Sequence, residues 1–179
     1  MKRIFLYLAI TTLMIWSACS GDKPVTADII PKGMRPLDLK AMGYPVKINV
    51  PDSTYFTTLD TMSTPGGAEI KLGQHFDILV NFAGAEDADL QKQKGLIEAA
   101  DAGMSTFLPS DSATLIYETK FGDLSMHHFI RIVKIGTDTY YVRDNKDNID
   151  NQFKKEDIDK MIESAKSLRA RPVPEAPKA

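Results

Sequence analysis

Residues Leu124–Ile135 form one long extended run, followed by Gly136-Thr137-Asp138 and a second run over 139–143. Two such runs around a short glycine-containing turn predict a β-hairpin. Successive side chains of a strand alternate between faces. Phe129, Val133 and Ile135 therefore share one face, and Met126, Ile130 and Ile132 share the other. A strand that is apolar on both sides belongs in the middle of a sheet, with cover above and below. The rest of the chain has to supply that cover.

Two stretches can do so as helices. Over 155–168, Ile158, Met161, Ile162, Ala165 and Leu168 fall on one stripe at spacings of three and four. Glu156 and Asp157 begin this stretch and Lys166 and Arg169 end it, in accord with the helix dipole. Over 87–102 a second helix turns Leu90 and Ile97 inward, although Gly95 costs about 1 kcal/mol against alanine. Further strands are predicted over 46–50, 69–72, 76–82 and 114–119, where apolar residues alternate. The expected fold class is α+β: an antiparallel β-sheet with flanking helices, as a single domain over 39–168.

The flanks differ in kind. Residues 19–38 carry Pro24, Pro31 and Pro36 without an apolar period and are expected to form a flexible tether. As a random coil it would span about 24 Å, comparable with the diameter of the domain. Residues 169–179 (RARPVPEAPKA) are expected to be a disordered, proline-rich tail.

The amino terminus carries the strongest functional signal. Lys2 and Arg3 precede thirteen uncharged residues, Ile4 to Trp16, and then Ser17-Ala18-Cys19. A bilayer-spanning helix needs about 20 apolar residues, whereas thirteen suits the core of a secretory signal peptide, here 1–18. Small residues directly before Cys19 resemble the lipobox of bacterial lipoproteins, although Trp16 stands where that family usually has an aliphatic residue. The resemblance implies cleavage before Cys19 and acylation (diacylglycerol on sulfur, commonly palmitate on the new amino group). It further implies a periplasm-facing domain, anchored by lipid to the inner or outer membrane of the cell envelope. Cleavage after Ser20, releasing a soluble protein, and a retained uncleaved anchor are the other readings of the same stretch.

Composition narrows the function classes. Hydrophobic residues make up 43% and charged residues 26%, which excludes a multi-pass membrane protein. With 22 basic and 24 acidic residues the net charge is −2, so no excess of basic charge favours nucleic acid. The single cysteine excludes an internal disulfide.

The order of elements also resembles the PsbP/Mog1/DcrB-like group. A strand ending in Val-Pro (VKINVPDS) is followed by further strands, a middle helix, a hairpin (MHHFIRIVKIGTDTYYV) and a closing helix (KKEDIDKMIESAKSL). The resemblance implies antiparallel sheets flanked by helices. That group has no shared active site, so no functional residue is carried over.

Motifs for chemistry are sparse. His127 and His128 are neighbours on one strand and point to opposite faces, so they cannot jointly chelate a metal. The run DNKDNIDN (144–151) lacks the glycine and ligand spacing of an EF-hand, and is expected to form a turn and cap. Neither GxxxxGK[ST] nor GxSxG occurs. Arg131 and Arg143 come close if the hairpin pairs around Gly136–Asp138, with Tyr141 on the Arg143 face; together they suit a carboxylate or phosphate. The expected function is a membrane-anchored, non-enzymatic lipoprotein with a protein-binding or envelope-accessory domain, partnered by the membrane through Cys19 and by an envelope protein. No cofactor, metal or nucleic-acid partner is expected. The alternative is a small-anion binding module on the hairpin face, using Arg131, Arg143, Tyr141 and His127.

Overall fold

The computed structural model describes residues 30–52, 59–64, 67–101, 104–146 and 152–171. Its elements follow as β1 (Met34–Asp38), a 3₁₀ turn (Lys40–Met42), β2 (Val46–Pro51), β3 (Leu59–Thr64), β4 (Gly67–Leu72) and β5 (Asp77–Phe82). Then come α1 (Leu90–Ala100), β6 (Ser105–Leu108), β7 (Thr114–Phe121), β8 (Leu124–Ile135), β9 (Asp138–Asp144), α2 (Lys155–Lys166) and β10 (Arg169–Ala170). Seven strands make one sheet in the order β3-β4-β5-β9-β8-β7-β6, and β1-β2-β10 make another. All pairings are antiparallel. Two meanders, β3–β4–β5 and β6–β7–β8–β9, join where β5 pairs β9.

The demand set by β8 is met from both sides. On one face, Phe129 packs in a core with Ile48 and Val50 of the small sheet, with Ile70, Ile78 and Val80 of the large sheet, and with Ile158, Met161 and Ala165 of α2. On the other face, α1 brings Ile97 onto Tyr117 and Ile130, with Leu90, Leu115 and Tyr141 around them. The second layer is much thinner. Its helix is fixed at its start by the Asp89 carboxylate, which accepts the N–H groups of Gln91 at 2.9 Å and Lys92 at 3.2 Å.

The α+β antiparallel fold and both helices stand as expected, with the domain edges shifted. The tether was expected to reach residue 38, yet β1 occupies Met34–Asp38 and pairs with β2. Pro36 hid this strand from the sequence pattern. It is tolerated because β1 is an edge strand, where one side of the backbone needs no ladder partner. The proline-rich tail was expected to begin at residue 169, yet Arg169 and Ala170 pair with Lys47 and Val46. The short strands β3 and β6, at the two edges of the large sheet, were not anticipated.

Gly67 opens β4 with φ +130, and a Cβ there would stand 2.5 Å from the carbonyl oxygen of Val80. Only glycine fits this approach. The signal-peptide region, Cys19 and most of the tether lie outside the described residues. Among the described residues no helix is long and apolar enough to cross a membrane.

Candidate functional site: a cleft between helix α1 and the large sheet

Tyr141 and Arg143 lie two residues apart on β9 and so share a face. Their strand partners are Ile132 and Ile130, which puts them on the face covered by α1. On β7, Tyr117 lies opposite His128. From above, α1 contributes Gln93, Leu96, Ile97 and Ala100. Between these walls is a cleft of about 310 Å³, also lined by Asp144 and Lys146. The α1 layer is thin here, since the helix buries only Gln93 and Ile97.

The polar groups are held by bonds that cross the layers. The Tyr141 hydroxyl donates to Gln93 Oε1 at 3.3 Å, and Gln93 Nε2 donates to the Glu86 carbonyl at 3.3 Å. Arg143 Nη1 donates to the Asp144 carbonyl at 3.3 Å. Burial, and after it the charge of Asp144, raises the pKa of Tyr117 far above that of a free phenol, so its hydroxyl stays protonated.

Asp144 is the buried anchor of the site, with only 1% exposure. The β8–β9 register ends at Ile130↔Arg143. Beyond it the N–H of Phe129 lacks a strand carbonyl from β9, and Asp144 Oδ1 takes that bond at 2.8 Å. Asp144 Oδ2 lies 2.8 Å from His128 Nδ1, and the His128 ring packs 5.0 Å from that of Tyr117. A buried carboxylate with both oxygens engaged is a fixed element of the floor.

The expected anion site is thus half assembled. Arg143 and Tyr141 meet in the cleft, but Arg131 does not join them. It lies opposite Val142, one residue out of step with Arg143, and an offset of one places it on the other face. There its Nη1 donates to both oxygens of Asp111, at 2.9 and 3.1 Å, and to the Thr114 hydroxyl. His127 shares the face of Arg131, and its N–H donates to the Phe153 carbonyl at 3.0 Å. It is His128 that belongs to the cleft side. The turn at 144–151 begins later than expected: Asp144 still belongs to β9, and the turn is entered at Lys146. Asp144 binds β8, and the Asn145 side chain donates to Glu69 at 3.2 Å and Asp77 at 3.3 Å. Residues 147–151 lie outside the described residues.

Sequence reading missed Gln93, Tyr117, Asp144 and Lys146. One signal was present: Gln93 sits four residues before Ile97, a polar residue on the buried stripe of α1. Among the described residues no three histidine, cysteine, aspartate or glutamate side chains gather as a metal centre requires. Comparison with known proteins gives no matching family model, no matching curated protein and no matching solved structure. The cleft has to be read from its own geometry.

Proposed function

We propose that this chain is a bacterial lipoprotein, held at the cell envelope by acyl chains on Cys19 with its domain in the periplasm. The domain works by binding rather than by chemistry, and its ligand is a small anion taken into the cleft under α1. The observation that carries this reading is the convergence of Arg143, Lys146, Tyr141 and Gln93 on one space of about 310 Å³. A pocket of this size with a few converging polar groups is the ordinary form of a small-molecule site. Among the described residues its lining includes Arg143, Lys146 and apolar walls, and the Asp144 carboxylate is committed to His128 and the β8 backbone.

The anchoring half is tested by intact-mass analysis of the native protein. Residues 1–18 should be absent and the mass of Cys19 should be raised by acyl chains. The Cys19→Ser variant should keep its signal peptide and lose its sedimentation with membranes. Unchanged processing and sedimentation in that variant would overturn the anchor.

A second reading, an accessory domain that docks on an envelope protein, is favoured by the end of the β7–β8 hairpin. Phe121 and Leu124 pair there at 49% and 40% exposure. Cross-linking in intact cells tests it: an adduct present in the parent chain should weaken in Phe121→Ser/Leu124→Ser.

A further inference from the structure

The outer strands of the two sheets are not alike. An open strand edge presents backbone N–H and C=O groups that another strand can pair, and folded proteins blunt such edges with short strands, proline and cationic side chains. Here β1 carries Arg35 and Pro36, and β10 is two residues long and includes Arg169. Strand β6 has four residues, and Lys94 of α1 stands 4.8 Å from the ring centre of its Phe107. Strand β3 (LDTMST) has six residues and no lysine, arginine or proline. Among the described residues no strand pairs with its outer side. We propose that this edge docks a second copy of the chain, the two β3 strands pairing antiparallel about a two-fold axis at Met62.

Both faces of the strand leave room for a partner. Asp60 and Met62 point to one face and Thr61 and Ser63 to the other, and all four are exposed. Met62, at 57%, is the most exposed large hydrophobic side chain among the described residues.

Geometry sets the register. Residues directly opposite each other in an antiparallel pair project on the same face. Joining two identical edges into one continuous sheet therefore sets odd-numbered residues against odd and even against even. An axis at Met62 sets Met62 against its own copy, Thr61 against Ser63 and Asp60 against Thr64. The two methionines shield each other from water, and no like charges stand opposite. An axis at Thr61 would instead set the Asp60 carboxylate against Met62, which takes water from a charge without giving it a partner. The paired span, 60–64, is short beside the roughly 20–30 residues a side of a standard interface, so the dimer is weak and concentration-dependent.

The test is disulfide trapping in the full chain, solubilised in dodecylmaltoside with micelles in large excess, with the parent chain as the blank for Cys19. Opposite Cα atoms lie about 4.5–5.5 Å apart, within disulfide reach, so Met62→Cys should give a covalent dimer on mild oxidation. Asp60→Cys, on the same face but about 13 Å along the strands from its copy, should give at least about tenfold less. Sedimentation equilibrium up to about 1 mM chain reads the weak association directly. Met62→Lys sets two ammonium groups face to face at an exposed position. It should weaken the dimer at least about tenfold and leave the Tm of the dilute protein unchanged. Equal trapping at both positions would mean random collision and overturn the proposal. So would a dimer that Met62→Lys leaves undiminished, or a parent chain that stays monomeric at every concentration. Each of these outcomes leaves the cleft and its ligand as they stand.

Discussion

Asp144 shows how one side chain can replace a piece of secondary structure. Where β9 ends, its carboxylate takes the place of the next strand carbonyl for Phe129 and meets His128 as well. Asp144→Ala should cost about 2–4 kcal/mol, because it leaves a buried N–H without an acceptor and removes a charge-assisted bond. Urea denaturation checks this, and an unchanged midpoint would contradict the role. Asp111 gives a pH-dependent counterpart on the other face. Burial raises its pKa, but bonds from Thr114, Arg131 and the Ala113 N–H outweigh that and bring it down to about 2. A carboxylate with a depressed folded pKa contributes stability that is present above its unfolded value, near 3.9, and lost as pH falls through the folded one. Asp111→Asn should therefore be less stable than the parent at pH 7, by at most about 1 kcal/mol given its solvent exposure. The gap should close between about pH 4 and pH 2. Thermal melts at a series of pH values measure it, and a gap that stays undiminished from about pH 4 down to about pH 2 would refute the assignment.

Among the elements, the two helices do unequal work. Helix α2 buries Ile158, Met161, Ile162 and Ala165 in the main core. Helix α1 buries only Gln93 and Ile97, and it keeps an exposed glycine at its centre. A Cβ on Gly95 would meet no atom within 4 Å. Gly95→Ala should thus stabilise the protein by about 0.5–1 kcal/mol through helix propensity and a less disordered unfolded chain. Calorimetry should show a raised Tm, and a lowered one would mean that the helix is strained there. The weakly held helix is also a wall of the cleft, so the same variant reports on whether its looseness serves ligand entry.

At the level of the whole molecule, the proposed anchor is set by the chain that precedes the first strand. β1 begins at Met34, fifteen residues after Cys19. At about 3.3–3.6 Å per residue Cys19 and the first strand can be no more than about 55 Å apart. On the proposed anchoring, a cut before Cys19 would remove Lys2 and Arg3 and no acid and leave a chain of net charge −4. Charge would then weakly repel an anionic bilayer, and acyl chains alone would hold the domain. Membranes washed in 1 M salt (a Debye length of about 3 Å) should therefore retain the protein in full. Release by salt would indicate peripheral, electrostatic attachment.

The sequence by itself determined the fold class, both helices and the strands of the central hairpin. The two-faced apolar pattern of β8, the stripe of α2 and the glycine turn of the hairpin are short-range signals, legible because each depends on neighbours within a few residues. Only the tertiary structure decided which arginine faces which layer. That choice rests on a register in which Arg131 meets Val142 and Arg143 meets Ile130, and a shift of one residue would exchange them. It also decided that Gln93 and Tyr141, 48 positions apart, would bond across a cleft, and that the side chain of Asp144, at the end of β9, would bond to the β8 backbone. Such contacts come from the packing of distant elements, and no spacing along the chain encodes them.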